Sequence, residues 1–184
     1  MIDVNGQVPF EGDAFIPLEI LNLKEKFNID IVLETGSQYG STLKWFKDNF
    51  WGVLGCEPNK DFFEIAKNKV GFEVLNIDSL TFLSSFVPKG NKLIYIDSHW
   101  HDTPCPLKDE LKLISELKIN PVICIHDFKV PNHPELGYDV YDYELKFEEI
   151  ESLLNDIYPK GFDYHYNSES NGANRGIIFI YPKQ

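Results

Sequence analysis

Acidic residues and histidines recur at the ends of short apolar runs in this chain. Glu34 closes Asp30-Ile-Val-Leu-Glu34, and Glu57 closes Trp51-Gly-Val-Leu-Gly-Cys-Glu57. Asp97 ends Lys92-Leu-Ile-Tyr-Ile-Asp97, His126 and Asp127 end the run from Pro121, and Asp78 with Ser79 follows Phe72 to Asn76. An ionised carboxylate accepts several hydrogen bonds at once, so it suits sugar hydroxyls, and it is also a natural ligand for a hard cation. Histidine is the side chain most suited to moving a proton near neutral pH. His99 follows Asp97 by two positions, which puts a candidate base beside a candidate ligand. Between Glu34 and the next helical stretch lies Thr35-Gly-Ser-Gln-Tyr-Gly40. There Gly36 permits a tight turn, and Gly40 permits a helix to start close to a sheet.

The elements that must position these groups alternate. Compact strands are expected at Asp30–Glu34, Trp51–Glu57, Phe72–Asn76, Lys92–Asp97 and Pro121–His126. Helical spacing lies between them: from Ser41, from the cap Asn59 through Phe63, Ala66 and Val70, over Ser79–Val87, and at Leu107, Leu111, Ile114 and Leu117. Ile16, Ile20, Leu23 and Phe27 predict a helix before the first strand, and Phe147, Ile150 and Leu154 one after the fifth. Continuously apolar strands separated by helices imply an α/β, doubly wound, mostly parallel sheet covered on both faces. The last two runs, Phe162–Tyr166 and Gly176–Tyr181, are joined by the polar Asn167–Arg175, so a seven-stranded sheet ending in an antiparallel strand pair is expected. At 184 residues the chain fits one domain, with residues 1–28 as an N-terminal helical extension. In such sheets ligands bind beyond the carboxyl ends of the strands, where the acids cluster.

The turn Glu34-Thr-Gly-Ser-Gln-Tyr-Gly40 resembles the first loop of class I S-adenosylmethionine-dependent methyltransferases, acid-x-Gly-x-x-x-Gly. A dinucleotide fingerprint would need a different glycine pattern. The resemblance implies the Rossmann-like methyltransferase fold with S-adenosylmethionine as cofactor. Glu34, Gly36, Ser37, Gly40, Ser41 and Thr42 would surround its methionine end. Glu57, about 20 residues after Gly36, would hold the ribose, with Pro58 shaping the adenine side. Asp78 and Ser79 would contact the adenine, and Asp97 would complete the set. Asp97-Ser-His-Trp-His and Ile125-His-Asp-Phe-Lys look like a branch of small bacterial and viral methyltransferases of unassigned substrate. They are also similar to metal-dependent O-methyltransferases. That likeness implies a divalent cation such as Mg²⁺ on Asp97, His126 and Asp127, with His126 departing from the carboxylate or amide expected there.

The expected activity is methyl transfer to oxygen of a small hydroxylated acceptor, such as a sugar or sugar-linked metabolite, with His99 or Asp127 taking the proton. Two rivals stay open: a metal-dependent hydrolase on the same fold, and a nucleoside-binding protein without chemistry. His99, His101 and Cys105 lack a fourth close ligand for a closed zinc site. Trp100 could floor a pocket, and Tyr138, Tyr141 and Tyr143 could form a lid in the long Phe128–Tyr143 loop. Lys129 reads as a solvated lysine, and Arg175 as either a surface group or a contact for an anionic substrate.

A net charge of −12, from 17 basic and 29 acidic residues, argues against nucleic acid and anionic membranes as partners. A homo-oligomer stays open. Cys56, Cys105 and Cys124 form no disulfide framework, no run approaches the roughly 20 apolar residues of a membrane span, and Met1–Phe15 lacks an apolar signal core. A cytoplasmic location is the resulting expectation.

Overall fold

The computed structural model describes residues 8–99 and 104–184. Trp100 and His101 therefore lie outside the described residues, and with them the pocket floor and the His101 part of the zinc reading. Seven strands make one sheet: β1 (Ile31–Thr35), β2 (Gly52–Cys56), β3 (Val74–Leu75), β4 (Lys92–Ile96), β5 (Val122–Ile125), β6 (Phe162–Tyr166) and β7 (Ile178–Pro182). Their order is β3-β2-β1-β4-β5-β7-β6. All neighbours are parallel except β7, which is antiparallel to both β5 and β6. The last pair is antiparallel as expected, but β7 inserts between β5 and β6, so β6 runs with the parallel set.

The α-helices are α1 (Phe15–Phe27), α2 (Ser41–Asn49), α3 (Lys60–Val70), α4 (Ser79–Ser85), α5 (Leu107–Glu116) and α6 (Phe147–Ile157). Alternation along the strands sends successive side chains to opposite faces. Val32, Leu93 and Tyr95 pack with Ile20, Leu23, Phe46 and Ala66 of α1, α2 and α3. Leu33, Ile94 and Ile123 pack with Phe82, Leu111 and Leu154 of α4, α5 and α6. Every residue of β1, β4 and β5 is buried, the cause of their unbroken apolar runs.

Caps fix several helix starts. Asn59 accepts from the backbone of Asp61 and Phe62, and Asp78 from Thr81. Strand β3 is shorter than its sequence suggests. Phe72 falls in a 3-10 turn and is 91% exposed, because the chain is still leaving α3 through Gly71 at φ 84°. Trp51 is 88% exposed just ahead of β2. Cys56 and Cys124 are buried free thiols. Among the described residues, no helix is long and apolar enough to cross a membrane.

Candidate functional site

The strand order reverses between β1 and β4, and the carboxyl ends of β1, β2, β4 and β5 surround a cavity of about 500 Å³. That lies within the range of small-molecule sites, roughly 300–1,000 Å³. Gly36, Gln38, Glu57, Pro58, Asn59 and Phe62 line one part; Asp97, Ser98, His99, Asp127, Asp139, Arg175 and Glu11 line the rest.

The β1 turn is built by close approach. Gly36 has φ 77°, and a Cβ there would lie 2.1 Å from the Asp97 carbonyl oxygen. Its N–H and that of Ser37 donate to the Cys56 carbonyl at 3.1 and 2.9 Å, which ties the turn to β2. Gly40, at φ 72°, rests on Ala66 of α3, where a Cβ would come within 2.9 Å. Glu57 accepts from Gln38 N–H on Oε2 and from Asn59 N–H on Oε1, both at 2.8 Å. Burial pushes its carboxyl up, while those two N–H groups pull it back. Each oxygen keeps a lone pair for a ligand hydroxyl. Glu34 is buried beneath the turn, its carboxyl raised by burial to about 8, and the nearby Ser37 hydroxyl offsets only part of that. Glu34 Oε2 and Ser37 Oγ have no hydrogen-bond partner among the described residues.

Two histidines flank two carboxylates at the ends of β4 and β5. His99 Nε2 lies 3.4 Å from Asp127 Oδ2 and 3.9 Å from Asp97 Oδ1. His126 Nδ1 lies 3.3 Å from Asp127 Oδ1 and 3.6 Å from Asp97 Oδ1. Burial lowers both imidazoles, but the neighbouring carboxylates outweigh it and raise them, His126 strongly. Burial pushes Asp127 up, and His126 and His99 override it, holding that carboxyl far below its usual range. Asp127 also sits at φ 54°, a left-handed strain of the kind found at functional positions. His99 is buried, and neither ring nitrogen makes a hydrogen bond among the described residues. Asp97, His99 and Asp127 bring one ligand atom each within 4.8 Å of one another. The expected ligand His126 also stands beside both acids, while the set whose ligand atoms all converge contains His99.

Other expected residues have different work. Asp78 caps α4, accepting from the Thr81 N–H and hydroxyl, and is not among the described residues that line the cavity. Ser79 is buried beside Glu110. Ser41 Oγ accepts from Lys69, and Thr42 Oγ1 from the Phe10 N–H. Arg175 lines the cavity with Nε donating to Asp127 and Nη2 to Asp139. Of the tyrosines expected as a lid, Tyr141 packs edge-on to the cavity-lining His99 at 6.2 Å between ring centroids. Tyr138 donates to Glu144, Tyr141 to Asp139, and Tyr143 packs on the inner core. Lys129 pairs with Glu144 at 2.7 Å.

Sequence reasoning missed Glu11, Asp139 and Ser98. Glu11 arrives from a 3-10 turn, Pro9–Gly12, that carries no periodic signal. Asp139 sits in the long loop, held by its N–H to the Asp127 carbonyl at 2.9 Å. Ser98 donates to the fully buried Glu110 at 2.7 Å.

No protein-family model matches the chain, and a search of curated proteins finds no match to it. Solved structures do match. An O-methyltransferase from Bacillus cereus in complex with S-adenosylhomocysteine superposes with a TM-score of 0.59 at 16% identity, over 96% of this chain and 84% of that one. An S-adenosylmethionine-dependent methyltransferase from Archaeoglobus fulgidus gives 0.58 at 18% identity, over 92% and 93%. This is the class I methyltransferase fold. The same fold carries other chemistry: a precorrin 8W decarboxylase from Methanobacterium thermoautotrophicum matches at 0.60 and 14% identity over the full length of both chains. Within the methyltransferase fold, the reaction must therefore be argued from the site.

Proposed function

We propose that the chain is an S-adenosylmethionine-dependent methyltransferase that acts on oxygen of a small hydroxylated acceptor, a sugar or sugar-linked metabolite. The observation that carries this reading is the cavity itself. It joins a glycine turn and a strand-end acid, Gly36 and Glu57, to the buried His99, which makes no hydrogen bond among the described residues, and the strained Asp127. Structural neighbours described as methyltransferases, one of them solved with S-adenosylhomocysteine, support it.

The described residues fit the cofactor. Gly36 and Ser37 would face its methionine end above Glu34, Glu57 would accept from the ribose hydroxyls, and Pro58 would flank the base. When bound, S-adenosylmethionine supplies an electrophilic methyl group on a cationic sulfonium. The protein's task is then placement, since displacement at one carbon gains most from alignment. His99 Nε2 would accept the acceptor's hydroxyl proton, and Asp127, 3.4 Å away, would orient the ring and stabilise its charged form.

A second reading of the same groups is favoured by the convergence of Asp97, His99 and Asp127. These three would hold a divalent cation, two oxygens and one nitrogen, which would acidify the acceptor hydroxyl in place of a histidine base.

Calorimetric titration with S-adenosylhomocysteine, with and without Mn²⁺, tests both. Micromolar binding that weakens in Glu57→Ala is the expected result. No binding in any condition overturns the methyltransferase proposal. Turnover that survives exhaustive chelation refutes the cation reading and leaves His99 as the base.

A further inference from the structure

The acceptor side of the cavity is uneven in charge. Glu11, Asp97, Asp127 and Asp139 line it, and Arg175 is the one lysine or arginine among its described lining residues. Arg175 is paired with Asp127 and Asp139. It is also wedged against Gly137, where a Cβ would lie 2.8 Å from a guanidinium nitrogen. A phosphate or carboxylate on the acceptor would meet four carboxylates and a guanidinium already paired with two of them.

Glu11 is the opposite case. Its carboxylate makes no hydrogen bond or ion-pair contact among the described residues, and it remains exposed at the cavity. Its backbone is nevertheless tightly held. Phe10 makes edge contacts with Trp45, Phe46 and Tyr95 at 5.0, 5.6 and 5.8 Å between centroids, and its N–H donates to Thr42 Oγ1 at 3.1 Å. Asp13 accepts from Phe15 N–H at 2.7 Å and from the Ser170 hydroxyl. Gly172 backs onto the turn so closely that a Cβ would lie 2.5 Å from the Glu11 carbonyl oxygen. Phe10 and Glu11 both adopt φ 52°, a left-handed conformation that crowds Cβ against the following carbonyl oxygen. Such strain persists where the surroundings over-determine it.

An independent feature of the same wall calls for a ligand. The His99 side chain is fully buried and lines the cavity; Nε2 stands at ion-pair distance from Asp127, yet neither ring nitrogen makes a hydrogen bond among the described residues. Buried polar atoms are rarely left so without a partner that the site is built to receive.

We infer that Glu11 binds a cationic amine of the acceptor, so that the substrate is an amine-bearing hydroxyl compound and not a phosphorylated or carboxylated one. The inference rests on the methyltransferase reading, with the hydroxyl directed to His99 and the ammonium to Glu11. Asp127 and Asp139 are already paired with Arg175, and Asp97 and Asp127 stand within ion-pair distance of His99 and His126, which leaves Glu11 as the acid open to the amine.

The test uses three probes that share one ring and differ in charge: glucosamine, glucose and glucose 6-phosphate, each titrated calorimetrically into protein loaded with S-adenosylhomocysteine. Glucosamine should bind about fivefold more tightly than glucose, the worth of a partly exposed ion pair, and glucose 6-phosphate most weakly. Glu11→Gln should erase the advantage of glucosamine, and Glu11→Lys should reverse the ranking. Thermal unfolding of both variants separates these outcomes from a merely structural effect. Equal affinity for glucosamine and glucose, no binding of glucosamine, or an advantage that survives Glu11→Gln overturns the inference. If S-adenosylhomocysteine itself fails to bind, the methyltransferase reading falls. The three probes are then compared on cofactor-free protein, where the same ranking supports the role of Glu11 and its absence overturns it.

Discussion

Replacing Gly36 by alanine should damage both fold and site, by amounts the structure allows to be worked out. The residue sits at φ 77°, so any side chain incurs the left-handed penalty of about 1–2 kcal/mol. The added Cβ would also lie 2.1 Å from the Asp97 carbonyl oxygen, 2.6 Å from its carbon and 2.7 Å from Ser98 Cα. These are backbone atoms of a loop anchored by Asp97 N–H to the Thr35 carbonyl at 3.1 Å and by Ser98 to Glu110, so they cannot swing aside like a side chain. Overpacking of this kind costs roughly 1–3 kcal/mol more. The total of about 2–5 kcal/mol corresponds to a fall in Tm of roughly 4–20 °C for a chain of this size. Relief requires the Asp97–His99 loop to retreat by roughly 1 Å, a displacement that can cost about a hundredfold in turnover. Gly52→Ala is the matched control, because its Cβ would meet only Ile31 Cγ1 at 3.4 Å, an ordinary contact. Thermal unfolding and S-adenosylhomocysteine titration of the two variants are the assay. If Gly36→Ala matches Gly52→Ala in both, the account of the turn is refuted.

Glu57→Gln should weaken S-adenosylhomocysteine by about 2 kcal/mol, roughly thirtyfold in Kd, by replacing a charged double acceptor; calorimetry reads this directly. Glu34 should make stability fall with rising pH. Its carboxyl lies at about 8 when folded against an ordinary 4.5, so its contribution is complete below 4.5 and is lost as pH rises towards 8. Denaturant unfolding between pH 4 and 9 should show that loss, at most about 5 kcal/mol, and Glu34→Gln should flatten it; parallel profiles would rule the burial argument out. If His99 is the base, turnover should increase as pH rises through its raised value, where the imidazole becomes neutral, and His99→Asn should lack that limb. Arg175→Ala should cost about 2 kcal/mol of stability by uncovering Asp127 and Asp139, a figure discounted for the guanidinium's partial exposure; a change within error would mean that water replaces it freely.

Much of the architecture was legible in the chain. Continuous apolar strands at 30–34, 92–97 and 121–126 announce a sheet covered on both faces, because only there does no alternate residue meet water. The Gly36 turn and Glu57 were legible for a related reason: a tight turn and a strand-end acid are local features, and sequence records local geometry well. What only the tertiary structure decided concerns the partners of each polar group. Asp78 and Glu57 look alike as acids that follow apolar runs, yet Asp78 spends its oxygens on Thr81 in its own helix, while Glu57 receives Gln38 from across the turn. The sequence named His126 as a ligand and His99 as a base, and only the fold shows that ligand atoms of Asp97, His99 and Asp127 converge within 4.8 Å. Arg175 and Asp139 lie 36 positions apart, and nothing in either neighbourhood foretells that they pair. Glu11 reaches the cavity only because Phe10 is anchored among aromatic rings of α2 and β4. Periodicity and turn chemistry are written along the chain, whereas a site made of side chains from widely separated segments exists only once packing has brought those segments together.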